Sequence, residues 1–124
     1  MLNHVEIQTA AVQASAAFHD AVLAPLGADH RIEHQGRIGY RDEHPEFWLG
    51  PVPEPSSSRA RESHLAFTAP DRRAVDAFYQ AAADLGAEIL HAPKIWLGYH
   101  DTYYAVFVRD PDGNNIEAVC ERPE

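Results

Sequence analysis

His4-Val5-Glu6-Ile7-Gln8-Thr9 and His64-Leu65-Ala66-Phe67-Thr68-Ala69 are the same kind of segment, 60 residues apart. The offset continues into the next segment, where Phe18 matches Phe78 and Ala21 matches Ala81. With one residue of slip, Leu26-Gly27 matches Leu85-Gly86, and further on Tyr40-Arg41-Asp42 corresponds to Val108-Arg109-Asp110. Matches that keep their order over this distance indicate a duplicated unit rather than two unrelated strands.

Each copy reads as a strand, a helix and three strands. Residues 3–9 alternate polar and apolar, the period of a half-buried strand. Residues 10–24 are rich in Ala, place Ala11, Ser15, Phe18 and Val22 on one helical face, and are stopped by Pro25 and Gly27. Extended segments come next, near 28–34, 37–42 and 46–50. In the second copy a strand spans 63–69, and Asp71 caps a helix at 72–84 whose buried face is Val75, Phe78, Ala82 and Leu85. Strands near 87–91, 102–109 and 115–121 complete it, the last two joined by the tight turn Asp110-Pro111-Asp112-Gly113-Asn114. Between the copies, Pro51-Val52-Pro53-Glu54-Pro55-Ser56-Ser57-Ser58 suits neither helix nor strand. The expected organisation is α+β: one domain of two tandem βαβββ modules, at about 1–53 and 62–122, with a linker at about 54–61 and a curved mixed sheet.

Composition narrows the function. The chain has 124 residues, 45% of them hydrophobic, enough for a core without staples. The single cysteine excludes an internal disulfide framework and a cysteine-rich zinc finger. A net charge of −9 argues against nucleic-acid or anionic-membrane partners, which require clustered Lys and Arg. No apolar run approaches the roughly 18 residues of a membrane span, and no basic-then-apolar leader is read at the start. A cytoplasmic location is the expectation.

Eight histidines are many for this length, and strand parity selects two of them. Val5 and Ile7 face one side, His4, Glu6 and Gln8 the other; Leu65 and Phe67 face one side, His64, Ala66 and Thr68 the other. In the last strand Ile116, Ala118 and Cys120 oppose Asn115, Glu117 and Val119. If the apolar faces pack on the helices, His4, His64 and Glu117 point into a trough. Two imidazoles and a carboxylate suit a divalent metal and leave positions open for water or substrate.

Three segments now bear a resemblance. His4-Val5-Glu6-Ile7 before a helix with Phe18, His64-Leu65-Ala66-Phe67 before a helix with Phe78, and the run from Phe107 through Asp110-Pro111-Asp112-Gly113-Asn114 to Glu117 resemble the vicinal oxygen chelate superfamily. That superfamily holds glyoxalase I, fosfomycin-resistance enzymes, extradiol dioxygenases and bleomycin-resistance proteins. The resemblance implies paired βαβββ modules around a metal cleft, metal-ligand roles for His4, His64 and Glu117, one divalent ion (Zn, Ni, Mn or Fe) and a homodimer. The chain departs from glyoxalase I where that enzyme's first module supplies a further carboxylate: here Trp48 or Leu49 stands at that place.

The implied activity is that of a metal-dependent, glyoxalase-like enzyme of lyase or isomerase type, acting on an oxygenated small molecule. The alternatives are an Fe(II) extradiol-type dioxygenase and a non-catalytic binding protein of the bleomycin-resistance type. Parity also turns Tyr103, Ala105, Phe107 and Arg109 inward, together with Arg37, Gly39 and Arg41 of the first copy. Tyr103 and His100 are the candidate catalytic groups, Tyr103 as a proton or hydrogen-bond donor to substrate and His100, in the Gly98-Tyr99-His100-Asp101 loop, as a general acid or base. Trp48 and Phe107 form an apolar wall, and Arg37 would hold an anionic substrate. Glu6 and Gln8 share the His4 face, and Cys120 has the parity of a buried hydrophobe.

Overall fold

The computed structural model of the chain describes residues 2–28, 31–41, 45–52 and 62–123. In chain order its elements are β1 (Val5–Thr9), α1 (Val12–Leu23), β2 (Arg31–His34), β3 (Arg37–Tyr40), β4 (Phe47–Pro51), β5 (His64–Thr68), α2 (Arg72–Asp84), β6 (Ile89–Ile95), β7 (Tyr104–Arg109) and β8 (Asn115–Cys120). They form two four-stranded sheets, β1-β4-β3-β2 and β5-β8-β7-β6, both curved and neither closed. In each, the first strand runs parallel to the last and the other pairs are antiparallel. These are the two βαβββ modules. The boundary expected at about 54–61 lies outside the described residues.

Local chemistry accounts for the ends of the elements. Asp71 accepts a 2.8 Å hydrogen bond from the Ala74 amide and so satisfies a donor the first turn of α2 would leave free. Helix α1 has no such side chain; its N-cap is Ala11, whose amide donates to Thr9 Oγ1 at 3.2 Å. A short 3-10 turn at Ala24–Leu26 extends α1 until Gly27, at φ 86°, turns the chain away.

Both helices lie on the same side and touch each other, so the two modules share one core. Phe18, Val22, Leu23, Tyr40 and Leu49 from the first module bury against Val75, Phe78, Val106 and Ile116 from the second. The Phe47 and Phe67 rings meet edge-on across the junction, 5.2 Å apart. Cys120 is buried in this core.

Two expectations about the helices change. Leu85 is half exposed (50%), because it is the C-cap residue of α2 and Gly86 (φ 73°) carries the chain off at once. Ala11 lies before α1 rather than on its buried face. Strand β6 also runs further than expected, to Ile95 and through Pro93. It is an edge strand, where a proline forfeits no ladder bond, and its register slips twice against β7.

Candidate functional site

The Asp110–Asn114 turn builds the local frame. Asp110 Oδ1 accepts from the amides of Asp112 (3.0 Å) and Asn114 (2.8 Å), and Oδ2 accepts from Asn114 Nδ2 at 3.1 Å. Asn114 Oδ1 in turn accepts from the Ser63 amide at 3.0 Å, which fixes the start of β5 beside the start of β8. From there the parallel register sets Ala66 opposite Glu117, and His64, two residues before Ala66, shares its face.

His64 and Glu117 consequently meet. His64 Nε2 donates to Glu117 Oε2 at 2.8 Å. The imidazole is 53% exposed and the carboxylate 3%, so the pair is a buried acid with an open-sided partner. Tyr103 donates its hydroxyl to the other oxygen, Oε1, at 2.5 Å. Burial first, and then this bond to an anion, push the Tyr103 phenol well above its ordinary pKa. The Tyr103 ring meets those of Tyr99 (centroids 4.8 Å apart) and of the edge-on His100 at 5.3 Å.

Around the acid lies an aromatic floor. Ala105, Phe107 and Val119 form a second apolar cluster with Leu90, Trp96 and Tyr103, separate from the main core. The Phe107 ring is 5.9 Å from His64, 5.8 Å from His91 and 5.1 Å from Trp96. Val106 and Val108, between these residues in sequence, bury under the helices. The inward parity of Tyr103, Ala105 and Phe107 is therefore what the structure shows.

The first module presents a different face. Trp48 pairs with Glu6 and Gly39, as Glu117 pairs with Ala66 and Phe107. Of the two residues that the sequence left open, Trp48 therefore occupies the place equivalent to Glu117. Its ring lies on Gly39, where an added Cβ would stand 2.8 Å from ring carbons, and the Glu6 carboxylate lies over Gly50 in the same way. Arg37 Nε donates to Glu6 Oε1 at 2.8 Å. A hollow of about 540 Å³ borders His4, Glu6, Arg37 and Trp48. Another, of about 510 Å³, lies between Phe18, Leu85 and Arg109; of the residues expected to turn inward, Arg109 alone borders it.

Of the expected site residues, then, His64, Glu117, Tyr103 and Phe107 come together on the second sheet. His4, Arg37 and Trp48 stand together on the first, with His4 Nδ1 2.8 Å from Asn3 Oδ1. Phe107 and Trp48 do not form one wall within the chain. His100 bonds Glu121 Oε1 (2.8 Å) and Thr102 and meets the Tyr103 ring edge-on, with no bond to Glu117 among the described residues. Arg41 comes after β3 at φ 99° and lies 3.8 Å from Glu46. Among the described residues no three His, Cys, Asp or Glu side chains gather as a metal-holding group.

Three residues escaped the sequence reading. His91 and Trp96 join the floor through the irregular strand β6, whose slips no alternation pattern reveals. His19 is buried completely among Phe18, Phe47 and Tyr40. Its Nδ1 donates to the Ser15 carbonyl at 2.8 Å, and its unpartnered Nε2 stands 4.0 Å from Asp110 Oδ2.

The model of the Glyoxalase/Bleomycin resistance protein/Dioxygenase superfamily matches residues 1–118. The chain belongs to that superfamily. Among members of this glyoxalase superfamily, a glyoxalase/bleomycin resistance protein from Albidiferax ferrireducens T118 superposes with a TM-score of 0.81 at 28% identity, covering 95% of this chain and 97% of that one. Lactoylglutathione lyase from Agrobacterium tumefaciens superposes with a TM-score of 0.70 at 19% identity, covering 97% and 92%, a likeness of fold. The Bacillus subtilis protein YqjT is 28% identical over 127 residues, spanning 96% of this chain and 98% of its own. The superfamily includes enzymes and non-catalytic members alike.

Proposed function

We propose that this glyoxalase-superfamily chain is a metal-dependent enzyme of lyase or isomerase type, which binds an oxygenated small molecule at a divalent ion held by His64, Glu117 and His4. The observation that carries the reading is the His64–Glu117 pair, an imidazole nitrogen and a carboxylate oxygen 2.8 Å apart. Both are donor types that first-row divalent ions accept. The pair lies on an aromatic floor, and Glu117 is almost fully buried with no Lys or Arg among its bonded partners. A buried acid without such a cation suits a site that a metal neutralises.

His4 precedes the first strand and does not gather with this pair as a three-ligand group among the described residues, which supports assembly across two copies: His4 and Trp48 of one copy would close over His64, Glu117 and Phe107 of the other. In this arrangement Trp48 and Phe107 become opposite walls of one cavity, and Arg37 borders it. A bound ion would supply Lewis-acid polarisation of a substrate oxygen. The chain's own residues orient and enclose. Tyr103 holds Glu117 in place, Phe107 and Trp96 exclude water, and His100 stands at the rim as the group that would exchange protons with solvent. Trp48 in place of a second carboxylate argues against a reaction that uses an acid from the first module as base.

Elemental analysis tests the ligand set: wild type should carry metal and His64→Ala should not. A mixing experiment tests the assembly. His4→Ala and His64→Ala chains, each metal-free alone, should on co-refolding regain about a quarter of the wild-type metal, because half of the dimers are mixed and each of these rebuilds one of its two sites. Equal metal in wild type and His64→Ala would refute the ligand set. No recovery on mixing would refute the shared site.

A further inference from the structure

Lys94 is the only lysine in the chain, in a protein of net charge −9. Its position arises from the irregularity of β6. His91 pairs with Phe107 and Lys94 with Ala105, so the step of three residues on β6 spans two on β7. In a regular strand, residues three apart face opposite sides. The slip instead turns both side chains to the face that carries Phe107, Ala105 and Glu117, as bulges beside sites do. The Lys94 ammonium lies 4.0 Å above the centre of the Trp96 ring, and that ring is pinned by its Nε1–H to the Ala105 carbonyl at 3.2 Å.

The ammonium has no carboxylate partner among the described residues; it sits on the Trp96 ring instead. The other cation expected on this face, Arg109, is engaged by Glu62 (3.0 Å), by Glu88 (3.6 Å) and by the Gly113 carbonyl. Lys94 is two strands from Glu117 and two residues along, about 12 Å between Cα positions at ordinary sheet spacings. With their side chains reaching inward, the two ends frame a molecule of one ring with a short arm. A net negative protein repels anions at long range, so an anionic ligand needs an uncompensated local cation, and Lys94 is such a group on the aromatic floor.

We propose that Lys94 is the anion-recognising residue of this trough, and that its substrate is small, flat and unsaturated, with an oxygen directed to His64 and Glu117 and a carboxylate at the opposite end. This rests on reading the second sheet's aromatic face as the substrate surface. The floor supplies stacking area, Trp96 holds the ammonium in place when the site is empty, and the ligand's carboxylate takes the ammonium when it is full.

The matched probes are 4-hydroxycinnamate and its neutral amide, 4-hydroxycinnamamide. Because Lys94 is the sole lysine, reductive methylation with 13C-formaldehyde gives one side-chain resonance besides that of the α-amine. Titration with the carboxylate should shift that resonance saturably, and the amide should bind about tenfold more weakly. Lys94→Met should erase the preference by weakening the carboxylate alone, and Lys94→Arg should keep it. Equal binding of both probes, binding of neither, or an equal loss of both in Lys94→Met would overturn the proposal. The metal reading is decided separately. Protein that binds no metal yet prefers the carboxylate through Lys94 leaves this inference standing, and metal-loaded protein with no such preference removes it alone.

Discussion

Tyr103 and Glu117 share one short bond, 2.5 Å from phenol to carboxylate, and it leaves Glu117 one oxygen free for His64 or whatever His64 shares it with. In the proposed site Tyr103 therefore positions the acid. A hydroxyl already donated to Glu117 is not free to protonate a substrate, so the tyrosine acts through its neighbour. Tyr103→Phe should fold normally and lower metal affinity by about 10- to 100-fold, the usual effect of removing a partner that orients a ligand. Chelator competition on the purified variant measures it; unchanged affinity would mean that packing against Tyr99 and His100 is the residue's only role.

The Gly39–Trp48 contact predicts a stability effect in the first module. A methyl group at residue 39 would stand 2.8 Å from ring carbons of Trp48. Gly39→Ala must displace the indole and should cost about 1–3 kcal/mol. Chemical denaturation gives the cost, and a shift in tryptophan emission reports the displacement.

His19 makes stability depend on pH. Burial lowers its pKa, against the opposing pull of the Ser15 carbonyl and Asp110. Between the two states the unfolded chain then binds the proton more readily. The stabilisation is complete above the unfolded value of about 6.5 and is lost as pH falls below it. Denaturant midpoints at pH 7.5 and pH 5 should drop further for wild type than for His19→Phe. Parallel drops would show that His19 is not the titrating group.

At the alkaline end the sign reverses. Burial and a 2.6 Å bond to Asp76 push the Tyr104 phenol up to about 12, and Tyr40, buried and bonded to Asp20, is raised as well. Phenols held neutral by folding stabilise the protein below pH 10 and lose that contribution as pH rises through the folded value. Absorbance at 295 nm should show late ionisation that coincides with unfolding, and Tyr104→Phe should make the transition shallower. Ionisation of all five tyrosines near pH 10 in the native protein would contradict this.

Much of this architecture is legible from alternation alone. The parity of residues 115–120 separates Glu117 from Cys120, and that of 103–108 separates Phe107 from Val106, because both strands pair in regular register and their two faces pack into different clusters. Lys94, His91 and Trp96 were not legible: two register slips in β6 break the period on which such a reading depends. Nor was His19. Its burial depends on Phe47 and Tyr40 arriving from other strands and on Asp110 from the other module, contacts that no local pattern encodes. The choice between Trp48 and Leu49 needed strand pairing to settle it, since the loop before β4 hides the count.

The duplication gives the Gly39–Trp48 pair a direct counterpart in the second module. In the second module a large residue on the third strand, Phe107, stands across from a small acid on the fourth; in the first, a glycine stands across from a tryptophan. The bulk lies on opposite strands in the two modules. Trp48→Glu alone would leave a gap over Gly39, and Gly39→Phe alone would collide with the indole. Bringing an acid into the first module one substitution at a time therefore passes through a damaged intermediate. The two halves share one interior yet present unlike faces, and no single substitution makes those faces alike.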